Sequence, residues 1–204
     1  CPLAIDLAGP HLLERMMWGS ADYEKDLGEK LNALRKADFL TCSGKHQRFY
    51  FLPFLSIAGW NITDPAVLPV IPYSMAPATR APLRHDRFIY GGFFLPWQDP
   101  GKVIETTLTV FDEAGKGELL FIGGQHPTQD ISRGQFEPLL QRLKLHPQVN
   151  MVQPVSFDRY VDLLAEGGVA LDLMTRNPER ELAFTTRTVV YLAHGLPVIH
   201  NDYS

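Results

Sequence analysis

Residues 168–200 read GVALDLMTRNPERELAFTTRTVVYLAHGLPVIH. The stretch opens on a β-rich apolar run, 168–174, and passes through an acidic loop. Residues 183–194 have helical character, and 197–200 form a second short apolar run. Between helix and strand stands Gly195-Leu196-Pro197, where the glycine can end a helix and the proline cannot continue one. The run 168–174 is nearly continuous in apolar residues, broken only by Asp172, rather than alternating, which implies a strand buried on both faces, as in a parallel sheet covered by helices.

The same rhythm extends towards the amino terminus. RFIYGG (87–92) and ELLFIGG (118–124) are strand-like and end in paired glycines. VNMVQ (149–153) is a further strand. Helices are expected over 99–114, where Val103, Ile104, Leu108 and Phe111 share a face, and over 157–166, capped by Ser156. SRGQ (132–135) has the spacing of a capping box, although Pro138 favours a start nearer Glu137. Five short strands alternating with about four helices predict an α/β protein with a Rossmann-like parallel sheet flanked by helices.

Residues 1–84 differ. Helices are expected over 10–18, 21–37 and 44–60, the last bent or interrupted at Pro53, with one clear strand at 38–43. Prolines at 65, 69, 72, 77 and 82 mark an extended connector. The expected division is therefore 1–84, the end of an N-terminal domain plus connector, and 85–204, a C-terminal Rossmann-like domain.

Totals narrow the function. The chain has 204 residues and a formal net charge of −4, which gives no global basic field for nucleic acid. Cys1 and Cys42 form neither a disulfide framework nor a metal spacing, so a reducing compartment is the default. The seven histidines are scattered, and no metal is expected. The aromatic stretch 49–60 is too short to span a bilayer and is read either as the packed face of a helix or as a peripheral membrane contact. There is no G-x-G-x-x-G after a strand, no G-x-x-x-x-G-K-[ST], no H-E-x-x-H and no G-x-S-x-G. The chain starts at Cys1 and stops just after a strand, and is read as a piece of a longer one.

In open parallel sheets ligands bind beyond the carboxyl ends of the strands. Gly91-Gly92, Gly123-Gly124 and the segment Glu179–Arg187 all fall there. A helix beginning near Phe184 would present unpaired N–H groups and a partial positive charge, and Thr185, Thr186 and Arg187 would add hydroxyls and a guanidinium. Together they suit a diphosphate. Taken singly, each feature is also an ordinary turn, an N-cap or a surface arginine. The argument rests on their lying at one edge of one sheet.

RFIYGGFFLPWQDPGKVIETTLTVFDEAGKGELLFIGG (87–124) and FDRYVDLLAEGGVALDLMTRNPERELAFTTRTVVYLAHGLPVI (157–199) resemble the C-terminal domain of group 1 (family 4) glycosyltransferases with the GT-B fold. IDLAGPHLLER and ADFLTCSGKHQRFY resemble the end of that family's N-terminal domain. The resemblance implies transfer of a sugar, with retention, from a UDP- or GDP-linked donor to a carbohydrate or lipid-linked acceptor, without a metal or other cofactor. It implies Thr185, Thr186 and Arg187 at the diphosphate, Glu181 at the sugar as the catalytic carboxylate, and Gly91 and Gly92 on the opposite wall. It also implies cell-surface polysaccharide synthesis in the cytoplasm, either free or at the inner face of the membrane. Two departures stand out. Many members carry a second glutamate, and Val189 or Val190 occupies its place; many carry an arginine and a lysine after the first glycine turn, and Phe93, Phe94 and Gln98 stand there. The chain alone is therefore not expected to be a competent catalyst. A non-catalytic GT-B-like subunit and another Rossmann-like nucleotide-binding enzyme are the competing readings.

Overall fold

The computed structural model describes residues 1–19, 22–78, 84–126 and 134–202. Backbone contacts divide the chain into two compact units. The first comprises Cys1–Ser74 and Arg176–Thr185, the second Met75–Thr175 and Thr186–Asp202.

In the second unit the strands are β3 (Arg87–Phe93), β4 (Glu118–Gly124), β5 (Val149–Val152), β6 (Val169–Asp172) and β7 (Val198–His200). They form one parallel sheet in the order β5-β4-β3-β6-β7. The chain starts in the middle, winds outward through β4 and β5, then returns to β6 on the other side of β3. That reversal makes the β3–β6 boundary the topological switch point, where a crevice opens at the carboxyl edge.

Both faces are covered, as the uninterrupted apolar runs require. Tyr90, Leu119, Phe121 and Leu171 point to one face, against Ile104, Leu108 and Phe111 of α4 (Gly101–Ala114) and Leu139, Leu140 and Leu143 of α5 (Glu137–Leu145). Ile89, Leu120, Ile122 and Ala170 point to the other, against Leu163 and Leu164 of α6 (Phe157–Leu164) and Tyr191 of α8 (Thr186–Ala193). Each large side chain so buried contributes about 1.5–3 kcal/mol. Ser156 caps α6, its Oγ accepting from Arg159 N at 3.4 Å. α5 starts at Glu137; the proposed cap at Ser132 lies outside the described residues.

The structure alters the reading of 176–194. A short helix α7 (Pro178–Leu182) stands before α8, capped by Asn177 Oδ1 accepting from Arg180 N at 3.0 Å. Ala183 after it is extended (φ −75°, ψ 143°), so α8 begins at Thr186 rather than near Phe184. The far end of α8 behaves as its sequence suggests. Gly195 is left-handed (φ 69°), Leu196 N returns to Tyr191 O at 3.0 Å, and the Leu196 side chain enters the core.

The first unit holds β1 (Ala4–Leu7) and β2 (Phe39–Cys42), paired in parallel, with α1 (His11–Met17), α2 (Tyr23–Lys36), α3 (Lys45–Ala58) and α7. β1 is a second strand where sequence showed one. α3 runs through Pro53 without interruption, because that residue faces solvent while Phe51 and Leu55 pack inward on either side. Part of the proline-rich connector lies along β2, with Cys42 N donating to Pro69 O (3.2 Å) and Ile71 N to Cys42 O (2.8 Å).

This unit contains a titrating cluster. Burial, then the neighbouring Glu179 carboxylate, push the half-buried Glu14 up to about 7, against Arg180 and Lys30. Arg180 is paired with the fully buried Glu179 (Nε–Oε2 2.5 Å). Burial pushes Lys30 down to about 8, its Nζ lying 4.4, 4.5 and 4.1 Å from the ring centroids of Tyr50, Phe51 and Phe54. The folded form therefore holds a proton on Glu14 that the unfolded chain releases between about pH 4.5 and 7. Stability from this group is complete below the unfolded value and is lost as pH rises through 7. Glu14→Gln is expected to melt close to the parent at pH 5 and to be more stable than it at pH 8, by about 1–2 kcal/mol after allowing for solvent screening. Thermal melts at the two pH values check this; an unchanged difference between them refutes it.

Candidate functional site

A cavity of about 330 Å³ opens at the carboxyl edge of the second unit's sheet. Gly91 and Gly92 from β3, Ile122 and Gly123 from β4, and Thr186, Arg187 and Val190 from the first turns of α8 line it. Pro154, Val155 and Phe157 from the β5–α6 junction, with Tyr160, form an apolar wall. Four of the residues singled out by sequence, Gly91, Gly92, Thr186 and Arg187, thus surround one space.

Arg187 is its electrostatic centre, and it is not a surface residue: its side chain is 14% exposed. Nη1 donates to Asp172 Oδ1 at 3.1 Å, and Nη2 donates to Gln98 Oε1 at 3.1 Å. The guanidinium carbon lies 5.1 Å from the centroid of the Tyr90 ring, a cation–π distance. Asp172, at the end of β6, is 3% exposed in its side chain and takes a second hydrogen bond from Thr188 Oγ1 at 2.7 Å. Burial pulls the Arg187 value down, but Tyr90, Asp172, Tyr191 and Tyr160 outweigh it, so the value is raised and the charge is kept.

Gly92 makes this arrangement possible. A Cβ there would lie 2.5 Å from Arg187 Nη2, and the residue's φ of +149° is one that side-chain-bearing residues rarely adopt. Beside it, Gly91 N donates to the Tyr191 hydroxyl at 2.9 Å, and Tyr191 in turn hydrogen-bonds Tyr160. Burial raises both tyrosines, which keeps them neutral. The Gly91 amide is thus occupied by protein, and the polar groups facing the cavity centre on the Arg187 guanidinium and the start of α8.

Glu181 and Thr185 belong to the first unit. Glu181 lies on α7 with its side chain 43% exposed and paired with Arg176 Nε at 2.6 Å. It lines a smaller cavity of about 270 Å³ with Gly44, Lys45, His46 and Phe184, and His46 Nδ1 lies 3.0 Å from the Glu181 carbonyl oxygen. Thr185 lines neither cavity. Among the described residues, no three His, Cys, Asp or Glu side chains gather in a way that could hold a metal ion, and no helix is long and apolar enough to cross a membrane.

Sequence reading missed Asp172, Thr188, Tyr160 and Tyr191, and took Gln98 only as the loss of a basic residue. The available signals were an acid ending an apolar strand in VALD and two hydroxyl-bearing residues beyond Arg187 on α8.

No protein-family model and no curated protein matches the sequence. Solved structures do match. The chain is similar to sucrose-phosphate synthase from Thermosynechococcus elongatus (TM-score 0.63, 19% identity, 98% of this chain and 50% of that one). It is similar to Anabaena HepE in complex with UDP-glucose (TM-score 0.67, 14% identity, 100% of this chain and 54% of that one). The pneumococcal O-GlcNAc transferase GtfA in complex with UDP and GlcNAc also matches (TM-score 0.62, 12% identity, 86% and 32%). The chain therefore spans about half, or less, of the chains it matches. At these identities the likeness is one of architecture: the chain has the GT-B glycosyltransferase fold over that span.

Proposed function

We propose that the chain is part of a glycosyltransferase and that its second unit binds the nucleoside diphosphate of a sugar donor, UDP- or GDP-linked, in the cavity around Arg187. The observation that carries this is a charged, largely buried guanidinium at the topological switch point, on the first turn of an eight-residue helix that lines the cavity. A diphosphate leaving group gains negative charge as the glycosidic bond breaks, and a fixed cation with aligned N–H dipoles stabilises that charge without reorganising. Thr186 contributes a hydroxyl at the same turn, and Gly91 and Gly92 line the same cavity, their missing side chains leaving room for Tyr160 and Arg187. The apolar side, Pro154, Val155, Phe157 and Val190, suits the nucleoside.

In this reading Thr185 assists at the diphosphate and Glu181 meets the sugar as the catalytic carboxylate, with transfer proceeding by retention to a carbohydrate or lipid-linked acceptor. The division at residue 84 then separates acceptor-side from donor-side sequence. The bound nucleotides of HepE and GtfA support the donor class. A cytoplasmic role in polysaccharide synthesis, in solution or at a membrane face, follows from the same resemblance. Calorimetric titration of the protein with UDP, GDP and UDP-glucose tests the donor site; micromolar binding of one nucleotide is expected, and no binding of any rejects it. One observation favours a binding-only subunit as the second reading: Val190 lines the cavity where an acid is usual in the resembling family. Turnover of a bound nucleotide-sugar by the full-length protein, lost in Glu181→Ala, separates the two.

A further inference from the structure

We infer that Asp172 and Gln98 are positioning residues that fix the plane of the Arg187 guanidinium towards the anion; the inference rests on the donor-site reading above. An arginine on the first turn of a helix has four rotatable side-chain bonds, and a free one would swing towards water. Here two acceptors from two separate elements hold the two terminal nitrogens. Asp172 comes from the end of β6 and takes Nη1; Gln98 comes from the β3–α4 connection and takes Nη2. Gln98 is itself held, its backbone N donating to Leu95 O at 2.8 Å. Asp172 is prevented from turning by the Thr188 hydroxyl on its second oxygen. The Tyr90 ring lies 5.1 Å from the guanidinium carbon, and Gly92 is close to Nη2. A guanidinium braced in this way keeps its remaining N–H donors directed at the cavity.

The carboxylate also sets how much charge the cavity offers. A buried arginine without a counter-ion would be far more costly to fold around than the ion pair that Arg187 makes with Asp172. The incoming diphosphate therefore meets oriented donors and a helix dipole rather than a bare cation. Geometry matters more to this site than net charge, and the inference is tested on that distinction.

The measurement is binding by the intact protein of three probes: UDP, inorganic pyrophosphate and uridine. Parent, Asp172→Asn, Gln98→Ala and Arg187→Met are compared, with each of the first two also combined with Arg187→Met. Asp172→Asn retains an acceptor for Arg187 but loses the charge-assisted bond; it and Gln98→Ala are each expected to weaken UDP and pyrophosphate about tenfold. Uridine, which has no phosphate, should bind all variants alike. In the Arg187→Met background neither substitution should weaken UDP further. Thermal melts establish that each variant is folded, and Gln98→Ala, which leaves the buried ion pair in place, keeps the test open if the Asp172 variant is not.

An unchanged or tighter UDP affinity in Asp172→Asn and Gln98→Ala overturns the inference while leaving the donor site standing. Equal loss of uridine and UDP, or additive loss on top of Arg187→Met, reduces the two residues to structural ones. A parent that binds neither UDP nor pyrophosphate removes the donor-site reading and the inference with it.

Discussion

Arg187→Met is expected to lower the affinity of the protein for UDP by about tenfold to a hundredfold, the range of one to two charge-assisted hydrogen bonds. The size follows from burial. At an exposed position an arginine–phosphate contact competes with water and salt; Arg187 is 14% exposed and lies in a cavity with an apolar wall. The same substitution should also cost stability, about 3–5 kcal/mol, because it leaves the Asp172 carboxylate, 3% exposed, without its ion partner. The two effects are separable. Arg187→Met combined with Asp172→Asn removes both charges and should recover most of the stability but none of the affinity. Equilibrium unfolding and calorimetry on the three proteins check this. Recovery of UDP binding in the double variant would show that the nucleotide does not contact Arg187. Arg187→Lys should behave as a loss, since an ammonium cannot bridge Asp172 and Gln98 in the fork geometry seen here.

The second unit's sheet was legible because its physics is local. Val169–Asp172, Glu118–Gly124 and Arg87–Phe93 are apolar runs ended by an acid or glycines, and two-faced burial leaves that signature whatever the neighbours are. The helix stop at Gly195 was legible for the same reason, because left-handed backbone selects its residue directly. Three features were not. β1 is four residues long and includes Asp6, whose carboxylate accepts from Thr41 Oγ1 at 2.6 Å, so its only strong cue is a partner 35 residues away. The break between α7 and α8 has no glycine or proline; it follows from the packing of α7 against α1 and α3 within the first unit. The pairing of Asp172 with Arg187 and Gln98 joins positions 15 and 89 residues from the arginine, which no spacing rule reaches. Sequence therefore picked out glycines and an arginine that line one cavity, but not the residues that hold that arginine.

Gly123→Ala is expected to be strongly destabilising. Gly123 pairs with Gly92 across the β3–β4 ladder at the rim of the cavity, with φ at +134°. A Cβ would stand 2.1 Å from Gly92 O and 2.8 Å from Gly92 C, both backbone atoms in the sheet. Neither side can yield as a flexible side chain would. Backbone strain of about 1–3 kcal/mol at such a φ adds to an overpacking cost of similar size, for a loss of about 3 kcal/mol or more. Arg187 Nη2 packs over Gly92, so a shift of Gly92 to relieve the clash would disturb the guanidinium, and any surviving folded form should also bind UDP more weakly. Gly28→Ala supplies the contrast. Gly28 lies inside α2 with nothing within 4 Å of its added Cβ, and there the same methyl should stabilise by about 0.5–1 kcal/mol. Chemical denaturation of the two variants side by side distinguishes a clash at the glycine corner from a general intolerance of alanine. If Gly123→Ala unfolds within about 1 kcal/mol of the parent, the two glycine turns are not in contact and the rim of the cavity is not built as described.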